Sequence, residues 1–252
     1  MKYRECIIIF MVTSCLLPAI AFAQSFRSEQ QKYPRVKEAY SEKHEMLKVE
    51  LGSKGVNRDS FEIFIRSFKN EQLLEVWVRS KGSEKFQLFK TYNVCRSSGV
   101  AGPKCRQGDL QVPEGFYQVS VFNPVSSFHL SLGLNYPNVS DLRRNGNSNP
   151  GGDIMIHGNC VTIGCLPLTD ELIKEVYILA VEARNAGQKS IPVHIFPARL
   201  DEKGMKSLNA FYSYNPALLS FWSNLQPGYL YFESNRKLPL VNVDAKGNYT
   251  FR

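Results

Sequence analysis

One histidine and two cysteines stand within IHGNCVTIGC, residues 156–165, and these are the side chains of this chain best suited to covalent chemistry. A cysteine attacks a carbonyl as its thiolate, so it needs a nearby base, and the tetrahedral intermediate needs N–H donors for its oxyanion. His157 closes a strand-like apolar run, Ile154–Ile156, where a rigid element can fix its imidazole. Cys165 follows Gly164, which allows a tight turn and close substrate approach, and it precedes a helix-forming run. Backbone N–H groups around Gly164 and Cys165, free at such a turn, are the expected oxyanion donors. A helix beginning close by would lower the thiol pKa through its dipole. The same residues also admit a Cys160–Cys165 disulfide, or a zinc site of His157, Cys160 and Cys165. The zinc reading lacks a fourth ligand, because neither His129 nor His194 stands at a metal-ligand spacing. Local chemistry alone leaves a catalytic dyad and a structural cysteine pair both open.

The elements that must position this stretch are mainly β with peripheral helices, an α+β pattern. Residues 24–58 read as a polar N-terminal helical or linker segment. From Phe61 the apolar period becomes two (Phe61, Ile63, Ile65; Leu74, Val76, Val78; then Phe86, Leu88, Phe89), with turn residues between the runs, which predicts consecutive strands. Phe116–Phe122 and His129–Leu134 predict two more, and Ile191–Phe196 a later one. Residues 138–153, rich in Asn, Gly and Ser, read as an exposed loop. Thr169-Asp170-Glu171 starts a helix carrying Leu172, Ile173, Val176 and Leu179. Residues 200–252 form an aromatic-rich extension expected to pack on the rest. It reads as a helix around Ala217–Leu225 and strand-like stretches at Tyr229–Glu233, Leu240–Val243 and Tyr249–Phe251.

The first 23 residues carry Lys2 and Arg4, an apolar run and Ala21-Phe22-Ala23, the layout of a cleaved secretory signal. Val12-Thr13-Ser14-Cys15 fits a lipobox only loosely, so lipoprotein anchoring is not expected. An exported, periplasmic protein in an oxidising compartment follows. There Cys95 and Cys105, which bracket the loop CRSSGVAGPKC, can close a disulfide. The 252 residues are 43% hydrophobic and 21% charged, enough for one sizeable core. The net charge of +8 is scattered, without a nucleic-acid-binding motif, and suits attraction to an anionic polymer.

Three motifs together carry a family resemblance: GDLQVPEGFY (108–117), GGDIMIHG (151–158) and TIGC (162–165). Over roughly residues 59–199 the chain resembles the YkuD-type L,D-transpeptidase catalytic domain, closest to its YafK-like branch. The resemblance implies a β-sandwich with a cradle for peptidoglycan peptide stems, His157 as base, Cys165 as nucleophile, and no cofactor or metal. It places Thr162 at the family's Ser/Thr position, with Gly158 and Gly164 shaping the site. Many members have a second His where this chain has Ile163, and an Ile-Arg pair where it has Leu166-Pro167. The missing Arg removes a cation that could hold a substrate carboxylate. Both departures, and the short His-to-Cys spacing, resemble the branch that includes hydrolases cutting wall-attached lipoprotein from peptidoglycan. Hydrolysis is therefore the favoured expectation, ahead of transpeptidation and of a non-catalytic wall-binding module. Arg143 and Arg144 are candidates for a diaminopimelate carboxylate, and Cys160 for a reversible redox partner of Cys165.

Overall fold

The computed structural model describes residues 25–252. The expected signal segment lies outside the described residues. In chain order the elements are α1 (Phe26–Gln30), α2 (Pro34–Ser53), β1 (Phe61–Phe68), β2 (Leu73–Ser80), β3 (Gln87–Asn93), β4 (Gly115–Asn123), β5 (Ser131–Leu134), α3 (Val139–Asn145), β6 (Met155–His157), β7 (Leu166–Pro167), α4 (Asp170–Asn185), β8 (Pro192–Phe196), α5 (Glu202–Phe211), α6 (Pro216–Asn235), β9 (Val241–Val243) and β10 (Tyr249–Phe251). The mainly-β, α+β expectation holds: one eight-stranded sheet runs β3-β2-β1-β8-β4-β5-β6-β7, and helices lie around it.

β4 belongs to both halves of this sheet. Its first residues pair with β8 and its later ones with β5, with a register shift between Val119 and Val121 where the sheet changes direction. The main core packs α2 and α4 against the strands. Val36, Ala39, Tyr40, Leu47 and Leu51 form one face of α2 and join Ile63, Ile65, Val76, Ile156 and Val176. A second cluster lies under α6, where Trp222, Leu225 and Tyr229 meet Phe68, Phe116 and Phe196 of the strands. His194 sits in β8 between Phe64 and Phe116, and burial holds its imidazole at about 3, so it is a neutral core residue.

Two segments differ from expectation. Residues 139–145 of the presumed loop form α3, because Asn138 and Asp141 make a capping box: each side chain accepts from the other's backbone N–H. Tyr229–Glu233 is not a strand but the last part of α6, which continues through Pro227; its Tyr229 and Phe232 anchor the apolar face.

Candidate functional site

His157 ends β6 and Cys165 immediately precedes β7; the two strands pair in parallel with Ile156 opposite Leu166. Continuing that register sets Cys165 beside Met155. Alternate residues share a face, so Met155 and His157 both lie on the side where Cys165 is diagonal to His157. The Met155 backbone acts on the Cys165 thiol, opposing the effect of burial, which agrees with that placement.

His157 is 1% exposed, and its ring lies against Phe128 at 4.8 Å between centroids. Its Nδ1 is 2.5 Å from the Gly158 carbonyl oxygen. A carbonyl only accepts, so Nδ1 carries the hydrogen and Nε2 is left as the basic nitrogen. Burial holds the imidazole below the ordinary histidine range, which the Gly158 bond partly opposes, so the ring is neutral at pH 7. Gly158 must be glycine for a steric reason: a Cβ there would lie 2.6 Å from Asp170 Oδ1 and 3.0 Å from the Cβ of His129. Asp170 starts α4 as expected, and its Oδ1 also accepts from the Asn159 N–H, which fixes the turn after His157.

Cys165 is a half-buried free thiol. Burial raises its pKa and the Met155 backbone partly offsets that, so the expected dipole-lowered thiolate is not what the structure shows. The reason is distance along the chain: α4 begins only at Asp170, beyond β7, with its first turn capped by Thr169. At rest the thiol donates to the Asp153 carbonyl at 3.6 Å and makes no hydrogen bond to His157. The site at rest is a neutral thiol with a neutral imidazole, and the thiol must turn toward Nε2 before proton transfer. Apo sites commonly have such loose catalytic contacts.

The Gly164 and Cys165 N–H groups are not free as expected. Both donate to Thr162 Oγ1, at 3.1 and 2.9 Å, and that hydroxyl donates to the Cys165 carbonyl at 2.8 Å. A threonine two and three residues ahead forms this turn readily, the signal the sequence carried at Thr162. The two N–H groups thus converge on one oxygen, the arrangement an oxyanion requires. Gly164 has φ 138°, and a Cβ there would be 2.9 Å from the Gln111 carbonyl, so the turn excludes larger residues. Thr162→Val leaves two N–H groups without their acceptor. It should cost about 1–3 kcal/mol in urea unfolding, whereas Thr162→Ser should retain wild-type stability to within about 1 kcal/mol.

The disulfide joins Cys95 to Cys160, not to Cys105, which is free and exposed. The Cys95 N–H donates to the Pro167 carbonyl, placing Cys95 beside β7 and the loop that leads into it. Cys105 is instead held by Asp109, whose carboxylate accepts the backbone N–H groups of Cys105 and Arg106. Cys160 is paired with Cys95, and the reversible Cys160–Cys165 disulfide is not the pairing the structure holds. The bridge closes a separation of 65 residues and ties the Cys95–Ser98 segment to the 159–165 turn, where Ser98 Oγ meets Thr162 Oγ1 at 3.5 Å. Cys160→Ser should lower stability by about 2–4 kcal/mol, measured as a shift in the urea midpoint of the oxidised protein.

Arg143 and Arg144 lie on α3 away from this pair. Arg143 donates to the Val243 and Asp244 carbonyls, and Arg144 stacks on Phe221. Nothing in the sequence marks Phe128, and His129, expected to open a strand, lies instead in the bend just before β5. His129 has φ 67° and a buried Nε2 without a partner, directly beside Gly158. A non-glycine residue in that region stores strain, which sequence does not advertise.

The chain is 39% identical over 189 residues to "Putative L,D-transpeptidase YafK" of Escherichia coli K12, a match spanning 74% of this chain and 72% of that one. The counterpart from Escherichia coli O157:H7 matches equally. The chain belongs to the YafK-like L,D-transpeptidase family. No family model matches it. Among solved structures, the helical cell shape determining protein Pgp2 of Campylobacter jejuni aligns with TM-score 0.44 and 19% identity over 74% of each chain. Bd1075 of Bdellovibrio bacteriovorus aligns at 0.38 and 22%, covering 60% of this chain and 56% of that one. No helix among the described residues is long and apolar enough to cross a membrane.

Proposed function

We propose that this YafK-like protein is an exported, periplasmic cysteine enzyme that acts on diaminopimelate-containing peptide stems of peptidoglycan and releases wall-linked protein by hydrolysis. The observation that carries the reading is the His157 ring. With Nδ1–H given to Gly158, its neutral Nε2 is available on the face where the free thiol of Cys165 stands.

In this reading Nε2 takes the thiol proton, and sulfur attacks the carbonyl carbon of the diaminopimelate linkage. The carbonyl electron pair moves to oxygen, which meets the Gly164 and Cys165 N–H groups in place of the Thr162 hydroxyl. The tetrahedral intermediate collapses as the C–N bond breaks, and His157 returns its proton to the departing amine of the attached protein. Water then adds to the thioester, giving its proton to His157, and the Cys165 thiol is re-formed with a free carboxylate on the stem. Leu166-Pro167 after the nucleophile favours hydrolysis over the arginine-bearing transfer pattern. The relatives' name favours the alternative, in which an acceptor amine replaces water and a cross-link or protein attachment forms.

Mass spectrometry of protein-bearing muropeptides incubated with the mature enzyme separates the two. Freed protein and monomeric stems are expected. New dimers would replace hydrolysis by transfer. Binding without any product, and without Cys165 modification by a thiol reagent, would leave only a wall-binding module.

A further inference from the structure

A cavity of ≈ 350 Å³ that Cys165 does not line lies between α3, the start of α6 and the β9–β10 turn. Lys104, Arg143, Arg144 and Lys246 line it against one carboxylate, Asp141, with Phe221 as its apolar wall.

The cations differ in what they have left to give. Lys104 is paired with Asp109 at 2.5 Å, and Arg143 is bonded to two backbone carbonyls. The Arg144 guanidinium lies 3.8 Å over the Phe221 ring, and among the described residues neither it nor the Lys246 ammonium has a hydrogen bond or ion pair. Stacking occupies the face of a guanidinium and leaves its edge donors free, the geometry that grips a carboxylate with two parallel bonds. Asp141 faces Arg144 and the two charges act on each other, but its oxygens bond the Tyr117 hydroxyl and the Asn138 N–H, at 3.1 and 2.9 Å, and not the guanidinium, whose donors stay available.

The pocket is also preformed. Asp244 Oδ1 accepts the Lys246 and Asn248 N–H groups, and Ser140 donates to the Gly247 carbonyl at 2.6 Å, so the β9–β10 turn is pinned to α3. Lys104 joins the two regions, since it lines this pocket and its charge also acts on the Cys165 thiol.

We propose that this pocket is a carboxylate-binding subsite, with Arg144 and Lys246 holding an acidic group of the peptide stem remote from the bond attacked at Cys165. The inference rests on the stem peptide as substrate. It gives the C-terminal segment a substrate-side role: α6 and the β9–β10 turn supply one wall of the subsite. It also supplies cations to a chain that has Pro167 where many members of the wider family pattern have arginine after the nucleophile.

The test is calorimetric titration of the mature Cys165→Ala chain with three probes: a soluble muropeptide with free stem carboxylates, the same muropeptide amidated at those carboxylates, and inorganic phosphate. Amidation should weaken binding about tenfold or more, as should Arg144→Gln combined with Lys246→Gln, and phosphate should bind more weakly than the free-acid muropeptide. Arg144→Lys should restore part of the loss, and circular dichroism should show each variant folded. Equal affinity for free and amidated muropeptides, or unchanged binding by the folded double variant, overturns the subsite. Phosphate binding as tight as the muropeptide reduces it to an unspecific anion patch and overturns it too. Turnover is scored separately on wild type. Carboxylate-dependent binding without turnover removes the proposed reaction but keeps the subsite, and turnover of amidated and free substrates with equal KM does the reverse.

Discussion

Cys165→Ala removes turnover of protein-bearing muropeptides by about 10⁴-fold or more and leaves the fold in place. Both halves of that expectation come from the surroundings of the sulfur. The thiol is half-buried and its bond to the Asp153 carbonyl is long, at 3.6 Å, so little stability depends on it. The turn that carries it is held independently, by Thr162 Oγ1 and by the Cys95–Cys160 bridge. Cys160→Ser has the opposite profile: stability falls while the nucleophile stays. Measuring product release and the urea midpoint on both variants separates a chemical cysteine from a structural one.

His157→Gln lowers kcat/KM by about 10²–10⁴-fold, the usual contribution of a positioned general base. Glutamine can keep a hydrogen bond to the Gly158 carbonyl but offers no basic nitrogen. The pH profile gives the sharper signature. Burial depresses the imidazole pKa, so the neutral base persists below the ordinary histidine value of 6.5 and is lost only as the pH falls further. The acid limb of the wild-type profile should therefore lie below pH 6.5. Burial raises the thiol pKa, so direct alkylation of Cys165 by iodoacetamide should still be climbing above the ordinary thiol range. In His157→Gln the acid limb should vanish from the residual activity. A wild-type acid limb above pH 7 would contradict the neutral dyad.

Much of the sheet was legible because its strands alternate: Phe61, Ile63 and Ile65 point into the core that α2 and α4 cover, as their period requires. The site was legible as two positions, His157 at a strand end and Cys165 behind a glycine. Its internal wiring was not. Thr162 holding two N–H groups, and Phe128 lying against His157, are tertiary consequences of where loops cross. The disulfide shows the same limit. Cys95 and Cys105 are close in sequence, but the Cys95–Pro167 backbone bond carries Cys95 to Cys160 instead. In α3, the loop-like composition of residues 138–153 concealed the Asn138–Asp141 capping box. In α6, Pro227 and the strand-favouring aromatics after it hid a helix whose tertiary packing overrides both.

In the proposed reaction the acyl group of the substrate passes through Cys165. Two free thiols, Cys165 and Cys105, are present among the described residues, so that route can be put to a choice. Wild-type enzyme is mixed with protein-bearing muropeptide, quenched in acid within one turnover and digested for peptide mass spectrometry. A stem-peptide thioester is expected on the peptide containing Cys165, absent from Cys165→Ala and from His157→Gln at the same quench time. Turnover with no adduct on Cys165, or an adduct on Cys105 that persists in Cys165→Ala, would contradict it.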